Sequence, residues 1–365
     1  MKYLFCGHFY TTGSGYTTIL THLGLELCKR GHEVLIMGID WDTQTHYYPF
    51  HVAPIGRKWL ADTLKFIPDE WGADRTLVAI DIPALNLLHN HFIEQDDKQI
   101  LWKTEAIFPV ENDPLQTSWR DALYPYKNRY VISEYAARIC GASDLPVTHL
   151  PMGCTVGTPP KTKSAPRELL NWPQDKTIFL AVADNNERKS LPLAMKAFKR
   201  LPQKEAVFYL VTRLHQENGW DFMELATRMG ITDRFIPIPY GVPQHALSLM
   251  YWAADALIVP SQAEGACLPI YEAAAHGLPV ICGTWTAMQD VQNEPWVLTT
   301  GYDYDYIFPR FNADRWMASV DDIEQRMLDI HLKRVDVDDM REKAFDFAQN
   351  RSWSHAVDIL EETAP

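Results

Sequence analysis

The segment that most restricts what this chain can become runs from Ala256 to Cys282. Ala256 to Val259 is an apolar run short enough for a buried strand, and Pro260 to Gly265 reads as the loop leaving its C-terminal end. Pro269 fits a first helical turn, where its missing N–H has no partner to lose. Gly277 stands where a helix C-terminus favours a left-handed residue, and Leu278 opens another strand. A strand, a tight loop, a short helix and a second strand in so few residues predict a parallel α/β sheet.

Two acids interrupt this segment. Glu272 lies one turn into a helix otherwise built of Ile, Tyr and Ala, where an ionised carboxylate is costly unless something hydrogen-bonds to it. Glu264 sits in the loop ahead of the helix, separated from Glu272 by seven residues. Free backbone N–H groups of Gly265, Ala266, Cys267 and Leu268 face whatever occupies that loop, and the helix dipole favours an anion there. Carboxylates beside an anion site serve poorly as anion ligands but well as acceptors for hydroxyls. The ligand this implies is a sugar or ribose attached to phosphate, that is, a sugar nucleotide.

Length and composition agree with a large soluble α/β protein. With 365 residues, two domains are expected, and 47% hydrophobic against 22% charged residues leaves ample core. No apolar run reaches membrane-spanning length, and the residues after Met1-Lys2 are too few for a signal-peptide core. The six cysteines lack CxxC spacing and read as reduced core thiols of a cytoplasmic protein. A net charge of -13 disfavours a nucleic-acid or anionic-lipid surface.

The remainder of the chain alternates strands and helices. Tyr3 to Gly7, a glycine-containing loop with Gly13-Ser14-Gly15, a helix from Tyr16 to Arg30 and a strand from Glu33 to Ile39 form one βαβ unit. Further strands are expected at Leu77 to Ile82, Gln99 to Ala106 and, as a last one before a helix from Glu134, Tyr130 to Ser133. Asp81 is read as a cap on the segment that follows it. Residues 158–166 have linker composition, placing a boundary within 154–175. Beyond it, strands are expected at Thr177 to Ala183, Val207 to Thr212 and Phe235 to Pro239.

The Glu264 to Glu272 spacing, together with Tyr251-Trp252-Ala253-Ala254-Asp255 and Gly277-Leu278-Pro279-Val280, resembles the Glu-x7-Glu signature of family 4 glycosyltransferases. That resemblance implies the GT-B fold: two doubly wound Rossmann-like domains facing a cleft. The expected division is an acceptor-binding domain at 1–160, a nucleotide-sugar domain at 161–340, and a last helix at 341–365 crossing back, with Trp353 as its anchor. The activity implied is transfer from a UDP- or GDP-linked sugar to a hydroxyl acceptor with retained configuration. The acceptor stays open among a glycan, a lipid-linked glycan and a small molecule. A modified base in DNA is the alternative acceptor, disfavoured by charge, and a non-catalytic sugar-nucleotide binder is the alternative class.

The resemblance assigns Glu272 to ribose hydroxyls and Glu264 to donor-sugar hydroxyls. Lys189, which matches the family lysine, goes to the diphosphate, where a fixed cation stabilises charge developing on the leaving group. Asp184 stands in place of the family arginine, so Arg188 is the candidate second cation. Ser14 and Gly15 are expected near the donor phosphates, although a tight turn explains them equally well. Tyr240 and Leu214, at two strand ends, are expected around the base. Glu111 is either an acceptor-hydroxyl base, replacing a family histidine that has no evident counterpart here, or a turn residue in Glu-Asn-Asp-Pro. No cofactor and no metal are expected, because lysine and the helix N-terminus supply the neutralisation.

Overall fold

The protein is described by a computed structural model covering residues 1–10, 14–160, 162–202 and 205–364. Gly13 of the glycine loop and Lys161 of the linker lie outside the described residues. The chain divides into two compact units. One is Met1–Gly153 with Phe311–Ala313 and Ser352–Pro365, and the other is Cys154–Arg310 with Asp314–Arg351.

The first unit is built on a seven-stranded parallel sheet. Its strands are β1 (Lys2–His8), β2 (Glu33–Ile39), β3 (His51–Ile55), β4 (Arg75–Ala79), β5 (Thr104–Phe108), β6 (Arg129–Val131) and β7 (Thr148–His149). They lie in the order β3-β2-β1-β4-β5-β6-β7. The interiors of strands β1 and β4 are buried on both faces, as a sheet covered by helices on each side requires. The order reverses at β1, which pairs with β2 on one side and β4 on the other. Such a switch point opens a crevice at the strand C-termini.

Gln99 to Ala106 departs from expectation. Gln99–Lys103 is helical, and only Thr104–Phe108 forms a strand. A short apolar run carries no periodicity that separates the two, and here Thr104 Oγ1 closes the turn by donating to the Ile100 carbonyl at 2.8 Å. Leu77 to Ile82 also ends early, because Ile82 already starts the helix Ile82–Glu94. Tyr130 to Ser133 corresponds to β6, which directly precedes the helix Glu134–Ala142, and a further short strand, β7, follows that helix. The edge strand β3, containing Pro54, was not legible.

The terminal helix Trp353–Glu362 belongs to this unit. Trp353 is buried and stacks on His22 at 4.9 Å between ring centroids. Arg75 holds the far end: its Nη1 donates to the Leu360 carbonyl and its Nε donates to Glu105 Oε1 at 2.8 Å. Tyr130 completes that buried pair by donating to Glu105 Oε2 at 3.0 Å.

The second unit repeats the plan with six parallel strands: β8 (Thr177–Val182), β9 (Ala206–Thr212), β10 (Phe235–Pro239), β11 (Ala256–Val259), β12 (Val280–Gly283) and β13 (Val297–Thr300). Their order is β10-β9-β8-β11-β12-β13, so the reversal falls at β8. The loops following β8 and β11 therefore leave neighbouring strands at the switch point. A separate hairpin pairs β14 (Tyr302–Phe308) with β15 (Ala313–Ala318).

Candidate active site

Adjacency of β8 and β11 brings together residues far apart in sequence. Glu264, 4% exposed, accepts a 2.7 Å hydrogen bond from Lys189 Nζ on Oε1 and a 3.0 Å one from Arg188 Nη1 on Oε2. Arg188 Nη1 also donates to the Ala263 carbonyl at 2.6 Å. Burial alone raises the carboxyl pKa. The charges of Lys189 and Arg188, with hydrogen bonds from Lys189 and Ser261, outweigh it and hold Glu264 at about 2. Taking this carboxylate out of water costs several kcal/mol, which explains why two cations converge on it.

The loop backbone is held under strain. Cys267, Ser190 and Thr286 have φ of 59°, 45° and 50°, a left-handed region that costs residues other than glycine about 1–2 kcal/mol each. All three are buried. Thr286 shows what the strain secures, because its Oγ1 accepts the Glu264 N–H at 2.9 Å and aims that side chain. Cys267 in this conformation starts the helix Leu268–Ala275 with no side-chain cap. Among the described residues, the backbone N–H groups of Gly265, Ala266, Cys267 and Leu268 find no acceptor. They remain as donors at a positive helix end.

Glu272 lies on that helix, half-buried. Its partner is Tyr251, whose hydroxyl donates to Oε2 at 2.6 Å. Burial nevertheless raises the Glu272 pKa, the Tyr251 hydrogen bond offsetting only part of it. His276 braces the pair. Its ring stacks on Tyr251 at 5.2 Å, and its Nδ1 lies 2.6 Å from the Glu272 carbonyl.

Tyr240 feels the Glu272 charge. Its hydroxyl is pushed up to about 12, by burial first, with Arg213 lowering it and Glu272 and Asp184 raising it. Arg213 lies over the Tyr240 ring at 5.3 Å and pairs with Asp184 at 3.4 Å. Where the resembling family places an arginine after the first strand of this unit, this chain has Asp184, and a guanidinium arrives instead from the end of β9. Leu214, by contrast, lines a cavity of about 600 Å³ with Trp220 and Pro237, whose wall includes neither Tyr240 nor Glu272. The structure thus gathers Glu264, Lys189 and Arg188 around one carboxylate and Glu272 with Tyr251, and leaves Leu214 outside both.

The first unit carries its own polar cluster at the strand C-termini. Ser14 is the N-cap of the helix Gly15–Lys29 and accepts the Thr17 N–H at 3.1 Å, so its hydroxyl has a capping role. Gly15, the first helical residue, is exposed. Asp81 occupies an N-cap position, but its carboxylate accepts from the Tyr16 hydroxyl at 2.7 Å rather than from helix N–H groups. Burial, the Asp81 charge and hydrogen bond, and then the Glu111 charge raise the Tyr16 pKa, which puts Glu111 in the same cluster. His8, the last residue of β1, stacks on Tyr10 at 5.6 Å and lies 3.6 Å from Asp40. Sequence reasoning missed His8, Tyr16, Tyr251 and Arg213. His8 and Arg213 each carried a local signal in their place at a strand end, and Tyr251 in its place in the quoted motif.

Comparison with known proteins follows the same division. Residues 163–329 match the family model described as Glycosyl transferases group 1, a span containing Lys189, Glu264 and Glu272. The chain is 27% identical over 143 residues to O-antigen chain mannosyltransferase B of Escherichia coli. That match spans 38% of this chain and 37% of the relative's length. Sucrose-phosphate synthase from Thermosynechococcus elongatus superposes with a TM-score of 0.76 at 17% identity, covering 99% of this chain and 98% of that one. Anabaena HepE, solved in complex with UDP-glucose, gives a TM-score of 0.71 at 14% identity, covering 100% and 99%. The chain therefore has the GT-B fold of two parallel-sheet α/β domains, and its second half carries the match to Glycosyl transferases group 1.

Proposed function

We propose that the protein is a retaining glycosyltransferase that moves a sugar from a UDP- or GDP-linked donor to a hydroxyl acceptor. The observation that carries this reading is the buried Glu264 carboxylate clasped by Lys189 and Arg188 beside four backbone N–H groups that have no acceptor among the described residues. A diphosphate placed there meets the helix N-terminus and both cations. Lys189 spends one of its three N–H donors on Glu264, leaving two for phosphate oxygens. The Glu264 oxygens keep lone pairs for donor-sugar hydroxyls, and Glu272, oriented by Tyr251, accepts from the ribose.

In the proposed step, the bond from the anomeric carbon to the diphosphate oxygen breaks while the acceptor oxygen bonds to the same face of that carbon. The acceptor proton passes to the departing phosphate oxygen. Lys189, Arg188 and the loop N–H groups act on the negative charge that grows there, the kind of fixed stabilisation that contributes most to such a barrier. Acceptor recognition is assigned to the first unit, where Glu111 lies near Tyr16 and Asp81. The match to a mannosyltransferase and the UDP-glucose complex of a protein of the same fold support a nucleotide-sugar donor.

A thermal-shift panel of UDP- and GDP-linked sugars tests the reading, because a ligand that binds only the native state raises its melting temperature. At least one is expected to do so and to lose its effect in Lys189→Ala. A panel in which none shifts the transition sinks the proposal. A donor that binds but is never hydrolysed or transferred selects the non-catalytic binder instead.

A further inference from the structure

Strand β14 opens Tyr302-Asp303-Tyr304-Asp305-Tyr306, and a strand's period of two puts the three tyrosines on one face and the two aspartates on the other. Tyr302 meets the Trp285 ring edge-on at 6.0 Å. Tyr306 donates to Gln262 Oε1 at 2.9 Å. Tyr304, between them, is 56% exposed. It lines a cavity of about 670 Å³ together with Tyr306, Trp220, Gln262, Glu187 and Lys196. That volume lies within the ~300–1,000 Å³ range of small-ligand sites.

The polar groups of this wall are of two kinds. Gln262 is satisfied, since its Nε2 donates to the Glu187 carbonyl at 3.2 Å and to Ser190 Oγ at 3.0 Å. The Glu187 carboxylate, the Lys196 ammonium and the Tyr304 hydroxyl have no hydrogen-bond or ion-pair partner among the described residues. One accepts only, one donates only, and one does both. Glu187 and Lys196 are both exposed, and a ligand carrying net charge of either sign meets one like and one opposite charge, so it gains little from the pair. An apolar ligand strips water from both and gives nothing back. A polyhydroxylated ring meets every requirement, with hydroxyls for the charged groups and a C–H face for the tyrosine and tryptophan rings.

We propose that this cavity is a carbohydrate subsite that holds a sugar unit of an oligosaccharide acceptor, away from the unit being glycosylated. The proposal rests on the glycosyltransferase reading and narrows its acceptor to a chain of sugars. Position favours it: Glu187 and Gln262 each stand two residues before a proposed donor-site residue, Lys189 and Glu264, on the same two loops. The cavity thereby borders the donor loops without using their cations.

The test titrates the full chain with linear pentasaccharides of mannose, glucose and galactose, and with the three monosaccharides, by saturation-transfer NMR. At least one pentasaccharide is expected to bind about tenfold more tightly than its monosaccharide and to lose about tenfold in Tyr304→Ala. The nucleotide thermal shift is expected to be unchanged in that variant, and Lys189→Ala is expected to show the converse pattern. Failure of all three pentasaccharides to bind, or wild-type affinity in both Tyr304→Ala and Lys196→Met, overturns the proposal. Self-association that Tyr304→Ala abolishes, with no saccharide binding, also overturns it in favour of an interface. If no nucleotide shifts the melting transition while Tyr304→Ala still abolishes saccharide binding, the donor reading falls and the subsite stands.

Discussion

The Tyr251 hydroxyl donates a 2.6 Å hydrogen bond to Glu272 Oε2, and the same tyrosine ring stacks on His276, one helical turn beyond that glutamate. Two helices are thereby tied through a carboxylate that burial keeps harder to ionise than usual. A carboxyl kept there at such a cost fits the proposed contact with the ribose better than a role in stability.

Replacing Glu272 with Gln is accordingly expected to separate binding from folding. The amide still accepts from Tyr251 but carries no buried charge, so the melting temperature at neutral pH should hold or rise. Loss of a charged acceptor for the ribose should cost about 1.5–3 kcal/mol of nucleotide-sugar affinity, roughly tenfold to a hundredfold. Thermal unfolding and donor titration of the same sample check both. Unchanged affinity removes Glu272 from the ribose.

Acid titration should expose Glu264. Its folded pKa of about 2 lies below the ordinary 4.5, so its contribution is fully present above pH 4.5 and is lost as pH falls through about 2. The size is about 3 kcal/mol, since each tenfold change in the acid dissociation constant is worth about 1.4 kcal/mol. Between pH 5 and 2, by denaturant titration, the wild type is expected to lose about that much more stability than Glu264→Gln. Parallel losses in the two proteins refute the assignment.

Lys189 serves the fold and, as proposed, the chemistry, so a single variant confounds them. Breaking a buried ion pair from one side costs about 3–5 kcal/mol. Lys189→Met and Glu264→Gln should therefore each destabilise the protein, and the double variant should lose less than their sum. Transfer should still fall by about 10² or more in Lys189→Met, since a fixed donor on the leaving group is gone. Single-turnover rates corrected for the folded fraction provide the measurement. A corrected rate equal to wild type returns Lys189 to a purely structural role.

In the proposed reaction, Lys189, Arg188 and the loop N–H groups neutralise the leaving diphosphate. Transfer is expected to persist after exhaustive dialysis against EDTA, assayed with the donor found in the thermal-shift panel. Activity lost on chelation and restored by Mg²⁺ or Mn²⁺ would show that these groups do not suffice.

Local chemistry determined much of this molecule in advance. Gly277 at φ 57°, Pro269 in the first turn and the apolar β11 and β12 specify one strand–loop–helix–strand unit, and an acid inside an alanine-rich helix announces that it needs a partner. Tertiary structure decided who the partners are. Tyr251 reaches Glu272 across 21 residues, from the helix before β11 to the helix after it, and Arg188 reaches Glu264 across 76 because parallel pairing of β8 with β11 sets the loops that follow them side by side. The pairing of Asp184 with Arg213 from the next strand is likewise invisible along the chain, since no local pattern records which strand ends are neighbours. The Gln99–Lys103 helix makes the same point on a smaller scale: a five-residue segment with three apolar residues at its centre suits either conformation, and packing chooses. Local sequence sets the conformation wherever the competing interactions lie within a turn or two, and the fold decides wherever they lie across the sheet.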